Sequence, residues 1–217
     1  SPNFDLKKRG PKDIEFIILH YTGMKIESDA IRKLTNINSK VSCHYLIKNN
    51  GEIIKMVPDL YVAWHAGKSY WKNYSSLNKN SIGIEISNPG HDLKYKKFSK
   101  NQILSLIKLS RFLIKKYKIN LKNVLGHSDI APQRKKDPGE KFPWKLLSKK
   151  KICFWHSLSQ HKLRKIRGYK ISDIEKKIFI KNLFKIGYSE KVIKNLNLNK
   201  LIYYKMITKA FQRRFRQ

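Results

Sequence analysis

The sequence predicts an α/β chain, a central mixed β-sheet flanked by helices, followed by a small all-helical C-terminal unit. Three observations carry that reading. Short β-branched apolar runs recur through the first two thirds, an Asn-Gly turn joins two of them, and a long stretch of helical periodicity precedes the last of them. Near residue 150 of the 217 the composition shifts, which divides the chain into 1–150 and 151–217.

The elements follow in order. IEFIILH (14–20) is an apolar run ending on a histidine, the pattern of a buried strand. Ser28, Ala30, Ile31 and Leu34 then suggest a helix. VSCHYLI, KNNG and EIIKMV form two strand patterns around an Asn-Gly turn, the strongest short hairpin signal. SIGIEIS (81–87) is a further strand with Glu85 at its heart. From Ser99 the period changes. Ser99 and Gln102 make a capping box, and Ile103, Leu106, Ile107, Phe112, Leu113, Ile114 and Tyr117 line one helical face. NVLGH returns as a short strand ending on His127, and a loop with prolines at 132, 138 and 143 follows. In the tail, Ser172 and Glu175 form a second capping box, Gly187 marks a helix stop, and Leu201, Tyr204, Ile207, Phe211 and Phe215 recur at helical spacing. These signals make the tail a folded helical unit, not a disordered arm.

Charge sets the partner classes. The formal net charge is +33, with 22 Lys and Arg against 3 acids in residues 141–217 and 26 against 12 before them. Nucleic acid, an acidic membrane surface and an acidic polymer each suit such a balance, as does a lysine-rich composition with no partner at all. Cys43 and Cys153 are too few for a disulfide framework and lack metal-finger spacing. No run reaches the roughly 18 apolar residues of a membrane span. The start at Ser1-Pro2 reads as a mature or trimmed form.

Chemistry concentrates in a few residues. His20, His127 and Asp137 attract notice because both histidines end predicted strands, where side chains converge, and two imidazoles with one carboxylate leave an open position on a catalytic zinc. The alternative is ordinary sheet-edge histidines. Glu85 alternates against Ile84 and Ile86, so it is either a general base beside a metal-bound water or a solvent-facing acid. Lys135 belongs to an RKK run, yet its i, i+2 relation to Asp137 in extended backbone aims both side chains the same way. AWHAGKSYWKNYSSLN puts Trp64 and His65 on a loop suited to sugar and peptide recognition, and His44 has the alternation to face the same cleft.

Taken together, HYTG (20–23), SCHYLI (42–47), AWHAG (63–67), SIGIE (81–85) and GHSDIAPQRKKDPGEKFPW (126–144) resemble the zinc-dependent N-acetylmuramoyl-L-alanine amidases of the AmpD and AmiD group. The five blocks occur in the family's order across residues 14–148. The resemblance implies the peptidoglycan-recognition, type 2 amidase fold and one zinc ion per chain held by His20, His127 and Asp137. It implies Glu85 and Lys135 as the catalytic pair, and a peptidoglycan or muropeptide substrate. KAFQRRFRQ, with LFKIGYSE upstream, resembles the helical peptidoglycan-binding module of AmiD-type enzymes. The tail module and the processed start favour the periplasm or cell envelope, with the cytoplasm as alternative; a monomer is expected, with anionic envelope polymers as contacts and no specific nucleic acid. A catalytically silent peptidoglycan-recognition protein on this fold is the rival reading, and a basic nucleic-acid-binding protein is a more distant one.

Overall fold

A strand apolar on both sides of its pleat needs packing on both faces, and FIILH finds it at the middle of a sheet. The computed structural model describes residues 1–216, Gln160 by its backbone alone. In chain order its strands are β1 (Phe4–Asp5), β2 (Phe16–Tyr21), β3 (Tyr45–Ile47), β4 (Ile53–Lys55), β5 (Val62–Ala63), β6 (Tyr70–Trp71), β7 (Tyr74–Ser75), β8 (Ser81–Ile86) and β9 (Val124–Gly126). The helices are α1 (Glu27–Thr35), α2 (Lys100–Tyr117), α3 (His127–Ile130), α4 (Trp144–Lys149), α5 (Gln160–Ile166), α6 (Asp173–Ile186), α7 (Lys191–Asn195) and α8 (Lys200–Phe215).

Five strands form the central sheet in the order β4-β3-β8-β2-β9, with β4 antiparallel to β3 and the other pairs parallel. The Asn-Gly turn closes the β3–β4 hairpin, as its sequence predicts. On one face Ile17 and Leu19 of β2 and Ile82, Ile84 and Ile86 of β8 pack with Leu106, Ile107 and Leu113 of α2 and with Trp144 and Leu147 of α4. On the other face Phe16 and Ile18 meet Leu183 of α6 and Tyr203, Ile207 and Ala210 of α8. The C-terminal helices thus share a core with the sheet.

The capping boxes at Ser99 and Ser172 form with both reciprocal bonds, and Gly187 ends α6. Three details depart from the sequence reading. Phe112 lies off the buried stripe of α2, 55% exposed, where the Lys116 ammonium sits 5.5 Å from its ring centre. The NVLGH strand stops at Gly126, because the Asp129 carboxylate accepts the Gly126 N–H at 2.8 Å and turns His127 into the first residue of α3. In α8 the buried stripe is Tyr203, Ile207, Ala210 and Arg214, while Leu201 is exposed and Tyr204, Phe211 and Phe215 are half-buried. That rotation brings an arginine into the core, where an acid receives it.

Candidate metal centre

Parallel strands in register present paired residues on one face, and β2 pairs His20 with Glu85 of β8. On the other side of β2, β9 runs directly into α3 and delivers His127. The loop then folds back. The N–H groups of Arg134 and Lys135 donate to the Ala131 carbonyl at 3.1 and 3.0 Å, and the Ser128 N–H donates to the Asp137 carbonyl at 2.8 Å. Asp137 is thereby returned to the start of α3. His20 Nδ1 lies 2.9 Å from His127 Nδ1 and 3.2 Å from Asp137 Oδ2, which is 3.1 Å from His127 Nδ1. All three residues are buried, and among the described residues they are the one group of three metal-capable side chains with ligand atoms within 4.8 Å of one another.

The outward nitrogens of both rings are engaged. His20 Nε2–H faces His65 Nδ1 at 3.1 Å, His65 Nε2–H faces Ser81 Oγ at 3.3 Å, and the Ser81 hydroxyl donates to the Leu77 carbonyl at 2.6 Å. His127 Nε2–H faces the Ala66 carbonyl at 3.2 Å. These tautomers follow from the terminal carbonyl acceptors, which can only receive protons. Both Nδ1 atoms are then lone pairs, turned toward each other and toward a carboxylate. Three acceptors at such distances repel unless a cation lies among them, so the donor set fits a metal ion. The relay depends on Gly83, since a Cβ there would stand 2.3 Å from the His65 ring.

Electrostatics follow from burial. Desolvation, then the neighbouring His127, lowers His20 to about 4, so its ring is neutral at pH 7. Burial and then the charge of Asp137 raise Glu85 to about 8, partly offset by Lys135, and Glu85 Oε2 has no hydrogen-bond partner.

A cleft of about 320 Å³ opens over the cluster. Glu85, Lys135, Trp64 and His65 line it, as do Lys33, Arg134 and Lys136. His65 contacts His20 as described and sits beneath the cleft, 9% exposed. His44, placed at the substrate by the sequence reading, is fully buried away from the cleft: its Nδ1 accepts the Gly83 N–H at 3.0 Å and its Nε2 faces the Tyr61 carbonyl. Arg134 opens the RKK run, where solvated charge is the default reading. Its guanidinium instead donates to the carbonyls of Ala66 and Lys68, fixing the loop that holds His127 Nε2.

Residues 10–140 match the family described as N-acetylmuramoyl-L-alanine amidase. The Escherichia coli amidase AmiD is 41% identical over 154 residues, 65% of this chain and 55% of that protein, so the match spans little more than half its length. The structure of E. coli AmiD in complex with anhydro-N-acetylmuramic acid-L-Ala-D-gamma-Glu-L-Lys superposes with a TM-score of 0.80 at 31% identity, covering 94% of this chain and 81% of that one. AmpDh3 from Pseudomonas aeruginosa, bound to anhydromuramic pentapeptide, gives 0.81 at 29% identity over 99% of this chain and 88% of that one. The five sequence blocks, the mixed sheet and these likenesses agree, and the chain belongs to the N-acetylmuramoyl-L-alanine amidase family, in its AmpD and AmiD group.

Proposed function

We propose that the chain is a zinc-dependent amidase that hydrolyses the bond between the lactyl group of N-acetylmuramic acid and the L-alanine of the stem peptide. The observation that carries this is the convergence of three buried lone-pair donors, His20, His127 and Asp137, beside Glu85 one strand away. Bound there, zinc supplies a Lewis acid and lowers the pKa of a water from about 15.7 towards about 7. Glu85, whose carboxyl a cation bound beside it would bring down from the raised value of the metal-free site, accepts the proton of the attacking water as the new C–O bond forms, and delivers it to the alanine nitrogen as the C–N bond breaks. The Lys135 ammonium, lining the same cleft, offsets the negative charge that grows on the carbonyl oxygen. His65 and Ser81 hold His20 in the tautomer that leaves Nδ1 free.

The cationic rim of Lys33, Arg134 and Lys136 suits a substrate bearing carboxylates, as muropeptides do. Trp64 lines the cleft and offers an aromatic face for sugar or peptide. We assign catalysis to residues 1–150 and propose 151–217 as a helical peptidoglycan-binding unit joined to it through the shared core. A monomer in the cell envelope is the setting we favour, with the cytoplasm as alternative.

The test incubates the protein with purified sacculi and with anhydro-muropeptide, with and without a chelator, and follows release of free stem peptide. Release that stops with chelator and returns on adding zinc is the expected result. Absence of release from both substrates by zinc-loaded protein would overturn the proposal.

A further inference from the structure

The solvent side of the tail carries apolar side chains that no core absorbs. Between residues 158 and 178, Leu158, Ile166, Tyr169, Ile171, Ile174 and Ile178 are each 43–71% exposed. Seven Lys and Arg and only two acids lie among them. On α6 the pattern is geometric. Its inner side is committed, with Leu183 buried, Phe179 5.6 Å from the Phe211 ring and Phe184 5.8 Å from the Tyr204 ring of α8. Its outer stripe reads Ile174, Ile178, Lys181 and Lys185 at i, i+4, i+7 and i+11, all exposed. The Tyr169 hydroxyl donates to Glu175 at 3.3 Å, which ties the preceding loop to the first turn of α6.

Single exposed apolar residues need no explanation, but a cluster set among cations does. Each class of occupant can be weighed by what it offers. A second copy of this chain brings the same basic surface, and like charge opposes that contact. Nucleic acid or an anionic glycan would satisfy the lysines and leave the isoleucines in water. A bilayer containing anionic lipid satisfies both: headgroups meet the cations, the isoleucines enter the acyl boundary, and lysine stems lie along the interface with their ammonium groups in the headgroup layer. No helix among the described residues is long and apolar enough to cross a membrane, so such contact is peripheral.

We propose that the outer surface of residues 158–185 is a docking site for an anionic lipid bilayer, with α6 lying flat on it. This stands on the surface alone and does not depend on the amidase reading.

Co-sedimentation of the full chain with phosphatidylcholine vesicles, with and without phosphatidylglycerol, tests it. The chain is expected to bind the phosphatidylglycerol vesicles, more weakly as salt is raised. The double variant Ile174→Ser/Ile178→Ser keeps every charge and removes only hydrocarbon, and is expected to bind about tenfold or more weakly. Its thermal midpoint should not change, because both side chains are exposed and neither belongs to a core cluster. Failure to bind phosphatidylglycerol vesicles would overturn the proposal. So would undiminished binding by the double variant, or equal affinity for duplex DNA unaffected by the substitutions, since either makes the surface a plain polyanion site. Self-association of the chain that the double variant abolishes would assign the patch to a second copy and overturn it as well.

Discussion

Replacing Arg214 with methionine tests whether the tail and the His20–His127–Asp137 cluster are one cooperative structure. The guanidinium is 4% exposed, donates to Asp129 Oδ2 at 2.6 Å and to the Val124 carbonyl at 3.0 Å, and stacks 4.3 Å from the Trp144 ring centre. Asp129 is 2% exposed and also receives Tyr188 OH at 3.1 Å and the Gly126 N–H. Methionine preserves much of the packing on Trp144 but leaves Asp129 buried without its cation, a change that typically costs about 3–5 kcal/mol. At ~2–4 °C per kcal/mol for a chain of this length, the thermal midpoint should fall by roughly 6–20 °C. Val124 and Asp129 flank His127, so the variant should also retain less metal after dialysis against a weak chelator. The double variant Asp129→Asn/Arg214→Met removes the orphaned charge and should recover part of the loss. A midpoint within about 2–4 °C of the parent, or strict additivity in the double variant, would refute the coupling. The same reasoning expects a chain cut after residue 150 to be aggregation-prone and metal-poor, since the cut uncovers Phe16, Ile18 and Leu125.

Other outcomes follow from the centre itself. His127→Ala should release bound metal, measured by atomic emission on the purified protein; stoichiometric retention would remove His127 from the ligand set. Lys135→Ala should keep its metal while kcat/KM falls by about 3 kcal/mol, roughly 100-fold or more; a large loss of metal would instead make Lys135 structural. Gly83→Ala forces the His65 ring away from His20 and should weaken metal affinity about 10- to 100-fold in a chelator competition, with unchanged affinity counting against the relay. For pH, Glu85 is raised to about 8, so between its unfolded value near 4.5 and 8 the folded metal-free chain binds more protons than the unfolded one. Its stability contribution is therefore lost as pH rises through that window. Metal-free Glu85→Gln should show a flatter midpoint-versus-pH curve from 5 to 8 than the parent, and parallel curves would contradict the burial of an unpartnered carboxyl.

Much of the site was legible because its residues occupy positions where local pattern and chemistry coincide. Glu85 interrupts an apolar strand, His20 ends one, and the parallel register then pairs them without further information. The fold class was legible for the same reason: the Asn-Gly hairpin and the capped helix α2 are local signals, and the sheet follows from joining them. Other features depend on contacts across the chain. His44 lies in one of the five motif blocks, yet its ring sits beneath Gly83, where burial makes it a structural acceptor. Periodicity placed Phe211 and Phe215 on the inner face of α8 because it scores arginine as outward.

The last point explains the tail more generally. GHSDIAPQRKKDPG contains two aspartates close to His127, and spacing alone does not say why one should face the two histidines and the other the core. Asp129, two residues on within α3, turns back to cap the Gly126 N–H and so points into the layer between sheet and α8; Asp137 arrives by the loop and points into the cluster. A carboxylate fixed in that apolar layer would be costly alone. Arg214, 85 residues later, meets it, and Tyr188 takes its second oxygen. A residue that composition counts as one more positive charge in a basic tail is thus the counter-ion for the acid that shapes the turn carrying His127. Sequence distance hides the pair, and the rotated stripe of α8 is the trace it leaves.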